Sequence, residues 1–236
     1  MDIMGNKATA YGFIAAAEKA GLKLFLGSYP ITPATDVLHE LSKHKSLGVI
    51  TVQCEDEISG CATAIGASFA GALAVTTTSG PGVCLKSEAM NLAVITELPL
   101  VVLNVQRGGP STGLPTKSEQ TDLLQALFGR NGESPMPVIA ATSPTNCFDA
   151  AYAACKMALE HMTPVVLLTD GFVANGSGSW KLPNLDTYPE IKPQYVTPEM
   201  KDNYTPYKRN PENQVRYWAI PGQEGYTPVS YTHLRA

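Results

Sequence analysis

Residues 97–113 read ELPLVVLNVQRGGPSTG. The run from Leu100 to Val105 is apolar at every position but Asn104, and it stops at Arg107, two glycines and a proline. A strand with no polar face needs cover on both sides, the condition of a parallel strand between layers of helix. PVVLLTD at 164–170 has the same character. Working outward, strand-length apolar runs fall at 23–27, 48–53, 72–77, 100–104, 137–141 and 165–169. Helical patterns at 7–20, 34–46, 57–70, 83–95, 121–128 and 144–161 separate or precede them. The alternation predicts an α/β fold: a mostly parallel open sheet of about six strands with helices on both faces. Thr32 or Thr35 is available to cap the second helix, and Pro144 suits a first helical turn.

The chain has 236 residues and a net charge of −4, with 17 basic residues scattered along it rather than clustered, so it offers no basic field for nucleic acid. Its most apolar stretch, 92–105, is interrupted by Thr96, Glu97 and Pro99, short of the ~20 apolar residues a membrane helix needs. MDIMGNKATAYGF lacks the basic and apolar regions of a secretory signal, which points to a cytoplasmic protein. The five cysteines include no C-x-x-C pair, so they read as reduced, packed thiols, and no metal or cluster ligand set is expected on this chain.

Four loops follow strand ends, where open α/β sheets bind ligands. GSYPITPAT (27–35) holds hydroxyls in a turn stiffened by two prolines; it reads equally as a rigid strand–helix connection. CEDE (54–57) puts Glu57 in the first turn of a helix, where the dipole favours an acid whether or not it has a further role. TTTSGPG (76–82) imitates a dinucleotide fingerprint, but Leu85 stands where the third glycine belongs. In the long loop 104–117, Arg107 is either a solvated cation or a planar fork for a carboxylate. The helix after Glu57 is lined by Gly60, Ala64, Ala67 and Gly71, a small-residue stripe suited to a tight interface or a pocket wall.

Taken together, YPITP, EDEISGCATAIGASFAGA (55–72), TTTSGPG and NVQRGGPSTGLPTKSEQTDLLQ (104–125) resemble the α-subunit pyrimidine-binding domain of the 2-oxoacid:ferredoxin oxidoreductases, over about 5–226. HELSKHKSLG (39–48) and GRNGESPMPVIAATSP (129–144) are most similar to the 2-oxoglutarate enzymes, including forms with fused γ and α parts. The resemblance implies the thiamine-diphosphate pyrimidine-binding fold and CoA-acylating oxidative decarboxylation, with electrons leaving through iron–sulfur clusters to ferredoxin. It also implies that Glu57 bonds N1′ of the aminopyrimidine, that the Thr32 hydroxyl lies near cofactor and 2-oxoacid, and that Arg107 pairs with a substrate carboxylate. Tyr29, Pro30, Ser79, Gly80, Pro81 and Gly82 become the cofactor-binding residues, the glycines allowing close approach to the ring. Non-oxidative thiamine decarboxylases and synthases also use such a glutamate, and a scaffold without turnover is a third reading.

The family's metal–diphosphate motif, Gly-Asp-Gly with an asparagine well downstream, is not matched: Thr169-Asp170-Gly171 has Asn175 only five residues after the aspartate. The resemblance therefore assigns Mg2+, the diphosphate grip and a [4Fe-4S] cluster to a β-type partner subunit, alongside a γ-type domain or subunit. Such half-sites meet face to face, so the small-residue helix is expected to be buried on assembly. The expected organisation is a pyrimidine-binding domain at 1–175 and a Pro/Tyr-rich arm at 176–228 leading to a further domain. Residues 229–236, VSYTHLRA, read as an adapter-derived tail.

Overall fold

A computed structural model of the protein describes residues 1–223 and Tyr226; the expected tail at 229–236 lies outside the described residues. In chain order the elements are β1 (Asp2–Met4), α1 (Gly5–Ala20), β2 (Leu24–Ser28), α2 (Thr35–Leu41), β3 (Val49–Gln53) and α3 (Glu57–Phe69). Then follow β4 (Leu73–Thr78), α4 (Gly80–Ile95), β5 (Leu100–Gln106), α5 (Leu123–Phe128) and β6 (Val138–Ala140). The domain closes with α6 (Asn146–His161), β7 (Pro164–Asp170), α7 (Gly171–Asn175) and β8 (Ser177–Ser179). All six expected strands form one parallel sheet in the order β3-β2-β4-β5-β7-β6.

The two-faced apolar character of the central strands divides by residue parity, as the pleat requires. Val101, Leu103 and Val105 of β5, with Val165 and Leu167 of β7, pack on the side of α1 and α6. Leu100 and Val102, with Val166 and Leu168, pack on the side of α3 and α4. Thr76 and Thr78 share the second side with Ala74 by the same alternation, so polar groups accumulate there at the carboxyl end of β4.

Several expectations change. Neither Thr32 nor Thr35 caps α2: the cap position is Ala34, and Thr35 Oγ1 instead closes the preceding turn, accepting from Ile31 N at 2.8 Å. That helix ends at Leu41 rather than near 46, and a separate 3-10 turn, Lys45–Leu47, runs into Gly48 at φ 78°. Helix α4 begins at Gly80, so SGPG is its first turn and not a loop before it; Pro81 lacks only an N–H that the first turn leaves free. The pair β1–β8 and the short α7 had no readable period, since three to five residues are too few to show one.

The Gly60–Ala64 stripe is already buried inside this chain, against β2. A Cβ at Gly27 would lie 2.5 Å from Gly60 O, so Gly27 and Gly60 together let α3 sit close on the strand. The face of α3 left open carries Ile58 and Phe69, each about half exposed. Residues 176–223 are mostly irregular, as their composition suggests, yet they fold back onto the domain. Ile191, Val215 and the fully buried Trp218 join the core on the α1–α6 side. Tyr152 Oη donates to Pro189 O at 2.6 Å, and Arg216 Nη1 to Thr96 O at 3.1 Å. Among the described residues no helix is long and apolar enough to cross a membrane.

Candidate functional site

Strand β2 pairs with β3 on one side and β4 on the other. The chain therefore leaves β2 in one direction and later returns on its opposite flank, which opens a crevice beyond the carboxyl ends of β2 and β4. The turn after β2, the start of α3, the first turn of α4 and the loop after β5 all converge there.

Tyr29, 4% exposed, reaches across to β4, with its phenol oxygen 2.8 Å from Thr78 Oγ1. Burial raises the affinity of this phenol for its proton above the ordinary value; the Thr78 hydrogen bond opposes it, Glu57 adds to it through a hydrogen bond and its charge, and Arg107 opposes it weakly. Gly82 fills the angle between these groups: a Cβ there would overlap Thr78 Oγ1 and Tyr29 Oη and lie 3.0 Å from Glu57 Cγ. The glycine thus makes room for this chain's own phenol and carboxyl. Gly80 does the same for Asp122, whose Oδ2 would be 2.6 Å from an added Cβ.

Glu57 is the first residue of α3, half-buried, and its position is set by its neighbour. Asp56 is the N-cap: Oδ1 accepts from Ser59 N at 2.8 Å, and Ser59 Oγ accepts from Asp56 N at 3.2 Å. This reciprocal pair satisfies two orphan donors, fixes the helix start and leaves Glu57 free of capping duty. Ser79, the N-cap of α4, is fully buried and makes no cap bond; its Oγ has no partner among the described residues. A buried hydroxyl without a partner costs about 1–3 kcal/mol, so its place beside the crevice is informative.

Arg107 is 6% exposed, not a solvated loop cation. Nη1 donates to Thr32 O at 2.7 Å and Nη2 to Thr112 O at 3.0 Å, which ties the turn after β2 to the loop after β5; the buried Nε has no partner among the described residues. Thr32 contributes its carbonyl to this tie and is exposed, as is Pro30. Arg107 also lines a cleft of about 740 Å³ with Gly80, Pro81, Thr112, Glu119 and Asp122. Asn104 Nδ2 donates to Asp122 Oδ2 at 2.9 Å, and Asp122 N donates to Gln106 Oε1 at 3.0 Å, which seats the far end of the loop against β5.

Sequence reasoning missed Lys86. It is fully buried: Nζ donates to Glu57 O at 3.0 Å and to Thr76 Oγ1 at 2.9 Å, and stands 5.1 Å from the centroid of the Tyr29 ring. Burial pulls its pKa down to about 8. A signal was present, because Val83, Lys86, Met90 and Ala93 share the buried face of α4, and a lysine in a core stripe is rarely incidental. Asp170, by contrast, is occupied structurally: Oδ1 accepts from Phe172 N at 2.7 Å and Val173 N at 3.1 Å, and Oδ2 from Gln120 at 2.6 Å. No group of three or more His, Cys, Asp or Glu suited to a metal occurs among the described residues.

The fold and this cluster define the class: a doubly wound α/β domain whose ligand crevice lies at the switch point, with a carboxyl and a phenol at its floor. The chain belongs to the family described as pyruvate flavodoxin/ferredoxin oxidoreductase, thiamine diphosphate-binding, whose model matches residues 15–231. It is 57% identical over 223 residues to the 2-oxoglutarate oxidoreductase subunit KorA of Mycobacterium tuberculosis, covering 94% of this chain and 34% of that one. It is 42% identical over 184 residues to the 2-oxoglutarate synthase subunit KorA of Archaeoglobus fulgidus, covering 78% of this chain and 52% of the relative. Among solved structures, the 2-oxoglutarate:ferredoxin oxidoreductase from Magnetococcus marinus with 2-oxoglutarate, coenzyme A and succinyl-CoA bound superposes with a TM-score of 0.88. Identity there is 36%, over 95% of this chain and 38% of that one. This chain spans about a third to a half of the length of these relatives.

Proposed function

We propose that this chain contributes the pyrimidine half of a thiamine-diphosphate site to a 2-oxoglutarate:ferredoxin oxidoreductase, and that turnover requires a β-type partner subunit. The observation that carries this reading is the convergence of Glu57, Tyr29 and the α4 start at the switch point. The donor set suits an aminopyrimidine: a half-buried carboxyl able to share a proton with a ring nitrogen, beside the unpartnered Ser79 hydroxyl at a helix start. It does not suit the diphosphate and its metal, because Asp170 is held as a helix cap. Mg2+ and a [4Fe-4S] cluster accordingly belong to the partner.

When bound, thiamine diphosphate supplies a nucleophilic carbon for the 2-keto group and a sink for the electrons left after decarboxylation. Glu57 holds and returns a proton at N1′. Tyr29, Pro30, Ser79, Gly80, Pro81 and Gly82 shape the floor on which the ring rests. Arg107, anchored through Thr32 and Thr112, lines the cleft of about 740 Å³ and is the cation assigned to the carboxylate common to 2-oxoacids. Thr32, exposed and tied to Arg107 through its carbonyl, is assigned the hydroxyl near cofactor and 2-oxoacid.

Specificity for 2-oxoglutarate, acyl transfer to CoA and ferredoxin as electron acceptor are supported by the names of the relatives. A γ-type domain or subunit completes the assembly, and residues 176–228 lead towards a further domain of the longer protein, which works in the cytoplasm. The exposed apolar side chains Ile58, Phe69, Leu85 and Leu92 of α3 and α4 suit the β-type partner's surface. The test is reconstitution with that partner, with viologen reduction followed over a panel of 2-oxoacids with CoA. Turnover is expected with 2-oxoglutarate and is expected to fall at least 100-fold in Glu57→Ala; undiminished turnover in that variant defeats the proposal.

A further inference from the structure

Lys86 is a buried cation that neither the proton transfer at Glu57 nor the Arg107 tie employs. Its partners are a carbonyl, a hydroxyl and a ring face rather than a carboxylate. Burying an ammonium without a counter-ion is costly, and an apolar side chain of similar volume at such a position is commonly neutral or stabilising. The fold alone therefore gives no reason for a lysine in the core stripe of α4. Its surroundings supply one.

The groups facing Nζ come from α3, from the ends of β2 and β3, and from β4. They are the Glu57 carbonyl and, at longer range, the Glu57 and Asp56 carboxyls at the start of α3; Cys61 within α3; Cys54 after β3; Thr76 on β4; and Tyr29 after β2. Tyr29 Oη and Glu57 Cγ both border Gly82, and the ammonium is held at Glu57 O and over the Tyr29 ring, so it stands close to both groups at the crevice floor. A positive charge near a carboxyl favours its ionised form, and exclusion of water strengthens the effect.

We infer that Lys86 is a positioning residue, whose ammonium pins the first peptide of α3 through Glu57 O and biases proton sharing between the Glu57 carboxyl and the cofactor ring towards the ring. The inference rests on the thiamine reading of Glu57. It assigns to this lysine control over the pH at which the bound aminopyrimidine changes tautomer.

The test uses the cofactor-loaded complex with its partner subunit and follows the near-ultraviolet circular dichroism of the bound aminopyrimidine against pH, with no substrate present. Lys86→Met removes charge and hydrogen bonds; Lys86→Gln keeps a neutral donor. Both are expected to assemble, to melt no lower than wild type, and to move the tautomer midpoint upward by ~0.5 pH unit or more. An unmoved midpoint in Lys86→Met, or a wild-type midpoint in Lys86→Gln, overturns the inference. Failure of both variants to assemble also overturns it, since the lysine would then be structural. Glu57→Gln separates the two readings: it should abolish the titration, and if the titration persists there, the thiamine reading of Glu57 fails whatever Lys86 does.

Discussion

The phenol oxygen of Tyr29 lies 2.8 Å from Thr78 Oγ1, so a residue just past the end of β2 is bonded to the last residue of β4 across the switch point. This bond closes the floor of the crevice and holds the phenol against Glu57. Tyr29→Phe removes it while keeping the ring packed under Lys86. The expected cost to stability is about 0.5–1.5 kcal/mol, with a larger proportional loss of turnover. Chemical denaturation and steady-state rates of the reconstituted complex, compared side by side, measure both.

Gly82→Ala should be far more damaging than its size suggests. The added methyl meets Thr78 and Tyr29 at distances no side chain tolerates, and both are fixed to strand ends. Overpacking of this kind costs about 1–3 kcal/mol, and the displaced phenol should lower cofactor affinity of the complex at least tenfold by calorimetry. Wild-type affinity in the alanine variant would mean the floor is more pliant than its hydrogen bonding indicates.

Arg107→Lys keeps the charge but loses the fork that joins Thr32 to Thr112. A compact ammonium cannot hold both carbonyls and still present a donor to substrate. We expect kcat/KM for the 2-oxoacid to fall by on the order of 10²-fold, about 2.7 kcal/mol, with cofactor affinity little changed.

Asp170→Ala removes the cap of α7 and the partner of Gln120. The expected loss is about 1–2 kcal/mol of stability. Magnesium dependence of the complex should be unchanged; a shift in it would make Asp170 a metal ligand. In keeping with that assignment, calorimetry on this chain alone should detect no thiamine diphosphate binding at micromolar concentration.

Lys86 also leaves a mark on stability against pH. Its folded pKa of about 8 lies below the ordinary 10.5, so between those values the unfolded chain holds more protons than the folded one. Stability from this group therefore rises with pH across that window and is lowest below about pH 8. Relative to Lys86→Met, the wild type should recover about 3 kcal/mol between pH 8 and 10.5 in denaturant titrations. A flat difference over that range would refute burial of the charged form.

The amino-acid sequence by itself determined the sheet and the motifs. Apolar runs such as 100–105 cannot be solvated on either face, so they dictate parallel strands under helices, and the turn residues after them mark the ligand-binding end. Glu57, Arg107, Tyr29 and SGPG were singled out by the resemblance of their motifs, because taken alone Glu57 reads as an ordinary helix start and Arg107 equally as a solvated cation; their roles stand as proposals. Tertiary structure alone decided what those residues touch. The strand order brings Thr78 beside Tyr29, and Gly82 beside both. Tyr29 follows β2, whereas Thr78 ends β4 and Gly82 lies in the first turn of α4; the separation of 49 positions between Tyr29 and Thr78 is a gap no local periodicity encodes. The same reason hid Lys86 and the seat of Trp218: burial belongs to how elements pack, and an ammonium in a helical stripe becomes meaningful only when its three neighbours, far apart in the chain, are seen to face it. Asp170 shows the converse, a motif-like aspartate whose hydrogen bonds are consumed by the fold.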